Sequence, residues 1–366
     1  MKRAVLLALS TALCAPLAIS AALPAAAAPA KSDAAFVAPR TAFGQPDLSG
    51  DWTNATLTPM IRDKKFGASL VMPPDAVKAE ESEMAREFKE GSKPTDPNAA
   101  PVKGPDTNVR PEFAAAGGDV GGYNIGWLDP GSQVMRVNGQ PRTSLITTET
   151  GQPPKKRDGA PTPDYRRYRG LGSFDSYETR SLGERCIMGF GRNAGPPMFP
   201  NGFYNNDYQI IQTPDYVAID VEMVHDMRII RLNSKHRTDD VRPWMGDSIG
   251  WWEGATLVVE TTNIPEQEQF FGSWKNLKVT ERFTRVGANR MLYQFQVDDP
   301  TMWEKPWGGE YEFKPLKGAL YEYACHEGNY ALPDMLAGAR AQEREAAAAK
   351  AAPAAGGGKA PGASAP

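Results

Sequence analysis

The sequence predicts a mainly β fold in which an antiparallel meander closes into a barrel or a curved sheet. Short segments rich in Val, Ile, Thr and Tyr recur after residue 208, separated by Gly, Pro, Asn or Asp. They do not alternate with ten-residue helices, which argues against a parallel α/β sheet. Closure of the meander would remove its unpaired edges. The predicted strands are 208–212, 216–223, 226–232, 257–262, 277–286, 291–297 and 320–325, and residues 251–260 are predicted to form a strand, a tight turn and a second strand.

Two elements are predicted before the meander. Residues 74–90 have Asp75 near their start, several Ala, Glu and Lys residues and no Gly, which predicts a helix. Further on, Asn138-Gly139 lies between the strand-like segments 134–137 and 142–147, and an Asn-Gly pair favours a hairpin turn. We therefore expect one β-rich domain over residues 40–340, with one N-terminal helix and long loops.

The two ends of the chain differ in composition from the body. Lys2 and Arg3 precede an apolar run that ends in small residues near Ala28, as is typical of a secretory signal peptide over residues 1–28. An uncleaved membrane anchor is the alternative. Residues 336–349 predict a short helix, and the Ala, Gly, Pro and Lys of residues 346–366 predict a disordered tail. We expect a periplasmic or secreted protein without a later transmembrane segment.

Charge and cysteine content narrow the function classes. A formal net charge of -3 gives no electrostatic basis for binding nucleic acid or an anionic membrane. Removal of the signal peptide would leave Cys186 and Cys325, which are expected to pair in an oxidising compartment. Two separate buried thiols are the alternative.

Residues near two of the three histidines are candidates for acid–base chemistry. A period of two puts Met223 and His225 on one mostly apolar face of the strand that precedes and includes Asp226. The cluster at 321–330 supplies Tyr323, His326 and Glu327. Titratable and aromatic groups at a strand end suit a general acid–base site, whereas packed core residues are the alternative at both places. The third histidine, His236, lies in a polar loop and is expected to face solvent.

Other candidates lie in loops or match a short motif. Asp247 is expected to pair with Arg242 or to line a cavity mouth with it and Trp244, and Tyr204 and Asn205 are candidate ligand-binding residues in a second polar loop. Structural turns are the alternative for both loops. The segment 246–250 matches G-x-S-x-G around Ser248, although a β turn follows it where a hydrolase needs a strand–turn–helix elbow.

Several strings together resemble a family of uncharacterised exported bacterial proteins. They are RTSLI (142–146), RSLGERCI (180–187), WMGDS (244–248), WEGATLVVETTN (252–263) and YEYACHEGNY (321–330). The resemblance spans residues 46–340 and implies one continuous domain, with Ala255 departing from the Asp or Asn expected in its turn. Separately, Gly50-x-Trp52 before a meander is similar to the opening of lipocalin-type barrels.

The combined sequence features predict an exported, lipocalin-like barrel with an internal pocket for a small, partly apolar molecule. Aromatic and Met side chains would form the pocket wall. Catalysis by a histidine and a carboxylate is left open, as a cofactor-independent lyase, isomerase or hydrolase. A serine hydrolase using Ser248 and a cell-envelope interaction module are the alternatives. No cofactor is predicted, although two histidines and a carboxylate would suit a metal if the fold joined them.

Overall fold

The computed structural model describes residues 36–93, 128–162 and 170–351, and its centre is a closed barrel of nine strands. The mainly β fold class is therefore confirmed. In chain order the barrel strands are β1 (Gly50–Thr53), β4 (Asp207–Gln212), β5 (Tyr216–Val221), β6 (Asp226–Leu232), β7 (Asp247–Glu253), β8 (Thr256–Thr262), β9 (Lys278–Gly287), β10 (Arg290–Asp298) and β11 (Trp307–Pro315). The helices are α1 (Pro74–Gly91) and α2 (Ala331–Ala351).

The barrel closes because the short strand β1 pairs with both β4 and β11. All neighbouring strands are antiparallel except β6 and β7, which are parallel, with Ile230 opposite Ser248. The chain between these two strands, residues 233–246, crosses from one end of the barrel to the other instead of turning back. This crossover was not expected from the sequence.

The sequence predictions near the C-terminal end of the barrel need two corrections. The predicted strand 320–325 is wrong, because these residues form no strand and run over the outside of the barrel loops. The last strand is β11 instead, which the sequence analysis missed. Its Gly308 and Gly309 allow close packing, since an added Cβ would lie 2.1 Å from Phe295 O and 2.2 Å from Leu145 O.

The elements outside the barrel follow the predictions more closely. Helix α1 begins at Pro74 as expected, and its Pro fits the first turn, where a missing N–H costs nothing. The turn Asn138-Gly139 forms with φ angles of 52° and 79°, between the two-residue strands β2 (Arg136–Val137) and β3 (Gln140–Pro141). Helix α2 continues to Ala351, so residues 346–351 are helical where a disordered tail was predicted. The predicted signal peptide and residues 352–366 lie outside the described residues.

The barrel interior is filled, which corrects the predicted internal pocket. Residues 193–199, which we call the plug, enter one end of the barrel. Tyr208 Oη donates a hydrogen bond to Asn193 O at 3.2 Å, and Tyr311 Oη donates to Met198 O at 3.0 Å. The Met198 N–H donates to Tyr293 Oη at 2.9 Å. All three tyrosines are fully buried, so they occupy the space in which a ligand was expected.

The two ends of the barrel differ in their connections. At one end, the turn end, residues 213–215, 254–255 and 288–289 make tight turns between successive strands. At the other end, the loop end, the long connections 54–206, 263–277 and 299–306 leave and re-enter the barrel. Long loops on a rigid scaffold are where binding residues usually lie, so the loop end is the part of the barrel best suited to a site.

Candidate functional site

A small cavity lies at the loop end, beside the plug. It is lined by residues of the segment 188–195 together with Asp226 and Glu268, and we call it the loop-end cavity. Its volume of about 10 Å³ is roughly that of one enclosed water molecule. The cavity is thus too small for a whole metabolite in this conformation, but large enough for one polar group.

Asp226 brings a buried carboxyl group to the loop-end cavity. It is the first residue of β6, is 6% exposed, and its Oδ2 accepts a hydrogen bond from the Gly189 N–H at 2.8 Å. Burial raises the pKa of Asp226 to about 6, against the opposing effects of that hydrogen bond and of nearby His225. Asp226 can therefore change its protonation state slightly below neutral pH.

Glu268 brings a second carboxyl group. It ends the short 3-10 turn Glu266–Glu268 in the connection between β8 and β9. Burial raises the pKa of Glu268 to about 7, Arg192 lowers it and Asp226 raises it. The two carboxyl groups therefore influence each other across the cavity and both titrate near neutral pH.

Arg192 lines the same cavity and forms no ion pair with any residue that the structure describes. Its Nη1 donates to the backbone oxygen of Glu268 at 3.2 Å, and its Nη2 donates to the backbone oxygen of Pro196. Its guanidinium group also lies over the Phe270 ring, 4.7 Å from the ring centroid. Within the described residues, Nε is buried without a partner. Burial lowers the pKa of Arg192, and the nearby Glu268 carboxyl group opposes that effect only in part.

Asn193 completes the lining with an acceptor that is not used. The side chain is 2% exposed, and its Nδ2 donates to Asn205 O at 2.9 Å and to Asn206 Oδ1 at 3.3 Å. Among the described residues its Oδ1 accepts no hydrogen bond. A buried amide oxygen without a donor is costly, and its position in the lining directs attention to a ligand with an N–H or O–H group.

The segment that lines the cavity is fixed from two sides. The Phe190 N–H donates to Met223 Sδ at 3.0 Å, close to Gly189. Behind the segment, Cys186 is joined to Cys325, so the predicted disulfide is confirmed. The disulfide ties the cavity segment to residues 316–330.

Five of the residues predicted for the site lie together at the loop end. Asp226 lines the cavity, Met223 supports it, and Asn205 O holds the Asn193 amide. Tyr204 stacks on Tyr323 with a centroid distance of 6.2 Å. The expected combination of acidic, aromatic and Met side chains is therefore present, but outside the barrel interior.

The histidines are placed differently from the prediction. His225 is exposed, because Met223–His225 form a 3-10 turn that interrupts the strand and shifts the alternation of side chains. The predicted face that Met223 and His225 share is wrong, since Met223 is buried whereas His225, Met227 and Ile229 are all exposed on the outer wall. His326 and Glu327 are exposed in the irregular segment before α2.

The predicted group around Asp247 forms a separate cluster. Arg231 donates to both carboxylate oxygens of Asp247, and His236 Nδ1 lies 3.0 Å from its Oδ2. His236 is thus partly buried between Asp247 and Glu260 rather than free in solvent. The predicted pair between Asp247 and Arg242 does not form.

Arg242 has partners of its own. It contacts the Asp239 carboxylate, donates to Ile264 O at 2.8 Å, and lies over the Trp274 ring. Trp244 is 38% exposed in the same loop. These two residues therefore do not line the loop-end cavity.

Ser248 lies inside the barrel on strand β7, without the elbow that a hydrolase requires. Its Oγ accepts a hydrogen bond from Arg228 Nε at 3.1 Å and lies 2.8 Å from Thr261 Oγ1. The side chain is 3% exposed. This geometry does not present the exposed nucleophile on which the serine-hydrolase alternative depends.

Three residues of the cavity were missed in the sequence: Arg192, Asn193 and Glu268. The segment 188–195 contains three glycines and no hydrophobic period, so a turn was the natural interpretation. The close spacing of Gly189, Gly191 and Gly195 around an Arg-Asn pair is the only feature that could have marked it. Glycines at such spacing allow a backbone to approach other groups closely.

Neither a metal site nor a membrane-spanning helix is found among the described residues. In the part of the chain that the structure describes, no three His, Cys, Asp or Glu side chains are grouped as metal ligands would be. Nor does any described helix have the length and apolar character needed to cross a bilayer. The fold and the cavity define a disulfide-bonded β-barrel protein with two carboxyl groups in a small site at one end. Comparison with known families, curated proteins and solved structures found no match to this chain, and the resemblance to an exported bacterial family stays a prediction.

Proposed function

We propose that this is an exported β-barrel protein that binds a polar group of a small molecule in the loop-end cavity and exchanges protons with it. The observation that carries the proposal is the pair of carboxyl groups, Asp226 and Glu268, whose pKa values are raised to about 6 and about 7 at one cavity. Such perturbed carboxyl groups concentrate at functional sites.

The pair is suited to general acid–base chemistry. At pH 7 most Asp226 side chains are ionised and can accept a proton, whereas about half of the Glu268 side chains carry one and can donate it. Two carboxyl groups with different roles in one site are a recurrent arrangement in acid–base enzymes. Asp226, which the sequence suggested as the carboxylate partner of a histidine, is thus proposed here as a proton acceptor with Glu268 as its partner.

Export is supported by two independent features. The sequence begins with the pattern of a secretory signal peptide, and the Cys186–Cys325 disulfide suits an oxidising compartment. In a small molecule-binding protein of the periplasm or the medium, the disulfide would hold the cavity segment in place where no reducing system acts.

The proposal is tested by thermal unfolding with a panel of small amines, carboxylates and hydroxy compounds at pH 7. At least one class should raise the unfolding midpoint of the wild-type protein and fail to raise that of the double variant Asp226→Asn, Glu268→Gln. The variant Asp158→Asn, at a side chain that is 95% exposed, is the matched control and should respond like the wild type. An equal response of the double variant, or no response to any class, would overturn the proposal.

A further inference from the structure

The loop-end cavity presents three kinds of hydrogen-bond acceptor. Asn193 Oδ1 is buried and has no donor within the described residues. Asp226 uses Oδ2 to accept from Gly189, which leaves Oδ1 toward other donors. The Glu268 carboxylate lines the cavity beside them. A group that satisfies all three residues must supply several donors from one small centre.

The charges at the cavity favour a cation as that group. When both carboxyl groups are ionised, Arg192 supplies one positive charge against two negative charges. The site therefore has a net charge of about -1. A monovalent cation would bring the net charge of the site to zero, whereas a monovalent anion would double its negative charge. The empty protein instead reduces the charge by holding a proton, which agrees with the raised carboxyl pKa values.

The size and openness of the cavity narrow the choice further. It holds about one water-sized group, and Glu268 and Gly191 at its edge are partly exposed to solvent. A primary ammonium group is close to that size, carries three N–H donors and no acceptor, and leaves its substituent free to extend outward. Calcium, by contrast, takes six to eight oxygen ligands, more than these three side chains supply.

We infer that the loop-end cavity recognises the ammonium head of a small primary amine, held by Asn193 Oδ1 and the Asp226 and Glu268 carboxylates. This inference rests on the proposed function and specifies its ligand class. No covalent step is involved.

Proton binding and amine binding compete in this arrangement. The amine stays protonated below about pH 9, while the carboxyl groups must lose their protons to accept its N–H groups. The charges that act on them are Arg192 and Asp226 at Glu268, and His225 and Asp220 at Asp226. Amine binding should therefore strengthen as pH rises from 5 to 8.

The experiment titrates the full chain calorimetrically with methylammonium chloride and with tetramethylammonium chloride at equal ionic strength. Tetramethylammonium carries the same charge but has no N–H donor. We expect saturable methylammonium binding at pH 8. The affinity for tetramethylammonium, and for potassium as a second cation without an N–H donor, should be at least about tenfold lower, as the loss of one charged hydrogen bond implies. Binding at pH 5 should be weaker again by at least about tenfold.

Two variants test the residues. Glu268→Gln removes one charge from the cavity and should weaken methylammonium binding, whereas Glu266→Gln, in the same short turn but outside the lining, should not. Equal binding of methylammonium and tetramethylammonium would overturn the inference, because charge alone would then account for it. Binding of acetate but not of methylammonium would also overturn it while leaving the proposed small-molecule site in place.

Discussion

Two arginines, Arg228 and Arg192, have surroundings that differ in one decisive respect. Arg228, in the interior, faces Glu281, and the exposed fractions of the two side chains are 1% and 0%. Among the described residues, the direct partners of Arg192 at the loop end are backbone oxygens and a ring, although two carboxyl groups line the same cavity.

The hydrogen bonds of the interior pair are complete. Arg228 Nη1 and Nη2 donate to the two oxygens of Glu281, Nε donates to Ser248, and Nη2 also donates to Thr261. Tyr293 Oη donates to Glu281 Oε1 at 2.8 Å. Burial opposes the charge of Arg228, but the attraction and hydrogen bonds of Glu281 outweigh it and leave the pKa of Arg228 raised.

The contrast distinguishes the interior pair, whose charges are compensated within the protein, from the loop-end cluster, whose charges are not. In the interior every charge is fixed by an opposite charge, so no proton or ligand is needed. At the loop end the pKa of Arg192 is lowered and those of Asp226 and Glu268 are raised, so all three charged forms are disfavoured. Binding of a ligand or a proton can therefore stabilise the loop-end cluster, whereas the charges of the interior pair are already compensated.

The largest expected effect is from Glu281→Gln. It would leave the buried charge of Arg228 without compensation and should reduce the free energy of unfolding by about 3–5 kcal/mol. Glu268→Gln makes the same chemical change at the loop end but should cost nothing at pH 8, and should stabilise the protein by up to about 1–2 kcal/mol, because the Glu268 charge is disfavoured there. Urea-induced unfolding of both variants measures the difference. Equal losses would show that the two clusters are not distinct.

The barrel itself was predictable because most of its strands are joined by local turns. Strand β6 occupies its predicted residues, and β9 and β10 differ from theirs by only one residue at each end. Their hairpin is visible in the sequence as alternating residues around 288–289. The parallel pairing of β6 with β7 was not predictable in this way, because it depends on a long crossover whose end points no local pattern marks.

The site was only half predictable, for a related physical reason. Asp226 was among the predicted site residues and lines the loop-end cavity, but the period-two alternation assigned to its strand fails at the 3-10 turn before it. Val224 and His225 have positive φ angles there, which a β-branched residue such as Val strongly disfavours, and no Gly or Asn marks the interruption in the sequence. Glu268 is distant in sequence and is brought to the cavity only by closure of the barrel.

The next largest effect that we expect is a pH dependence of the free energy of unfolding, caused by the carboxyl groups of the loop-end cluster. The folded pKa values of Asp226 and Glu268, about 6 and about 7, exceed their ordinary values of 3.8 and 4.5. The folded state therefore holds more protons than the unfolded state between about pH 4 and pH 7. Consequently the free energy of unfolding should fall as pH rises through this range and level off above it. Asp207, whose pKa burial raises to about 7, contributes in the same direction.

Asp226→Asn isolates one part of this dependence. The difference between the variant and the wild type should vanish only well below the ordinary pKa of 3.8, where the carboxyl group is protonated in both states. At pH 8 the variant should be more stable by about 1–2 kcal/mol, since an uncompensated buried charge is absent and solvent screening is incomplete. Asp158→Asn, at a highly exposed side chain, should give no stabilisation. A loss of stability at pH 8 would mean that the Asp226 charge is compensated after all, as Glu281 compensates Arg228.

The smallest expected effect comes from Gly189→Ala, which disturbs the loop-end cluster and leaves the interior pair intact. An added Cβ would lie 2.9 Å from Met223 Cγ and 3.3 Å from Asp226 Oδ2, so the segment must shift away from both. Met223 is flexible, and the cost should therefore be about 1 kcal/mol. Gly202→Ala is the matched control, because nothing lies within 4 Å of its added Cβ. Urea unfolding measures this cost.

A heteronuclear NMR spectrum shows which residues are affected. Chemical-shift changes confined to residues near the cavity in Gly189→Ala, and almost no changes in Gly202→Ala, would show that the loop-end cluster moves independently of the barrel interior. Shifts of the Arg228 side chain would contradict that independence, because the plug would then couple the two clusters.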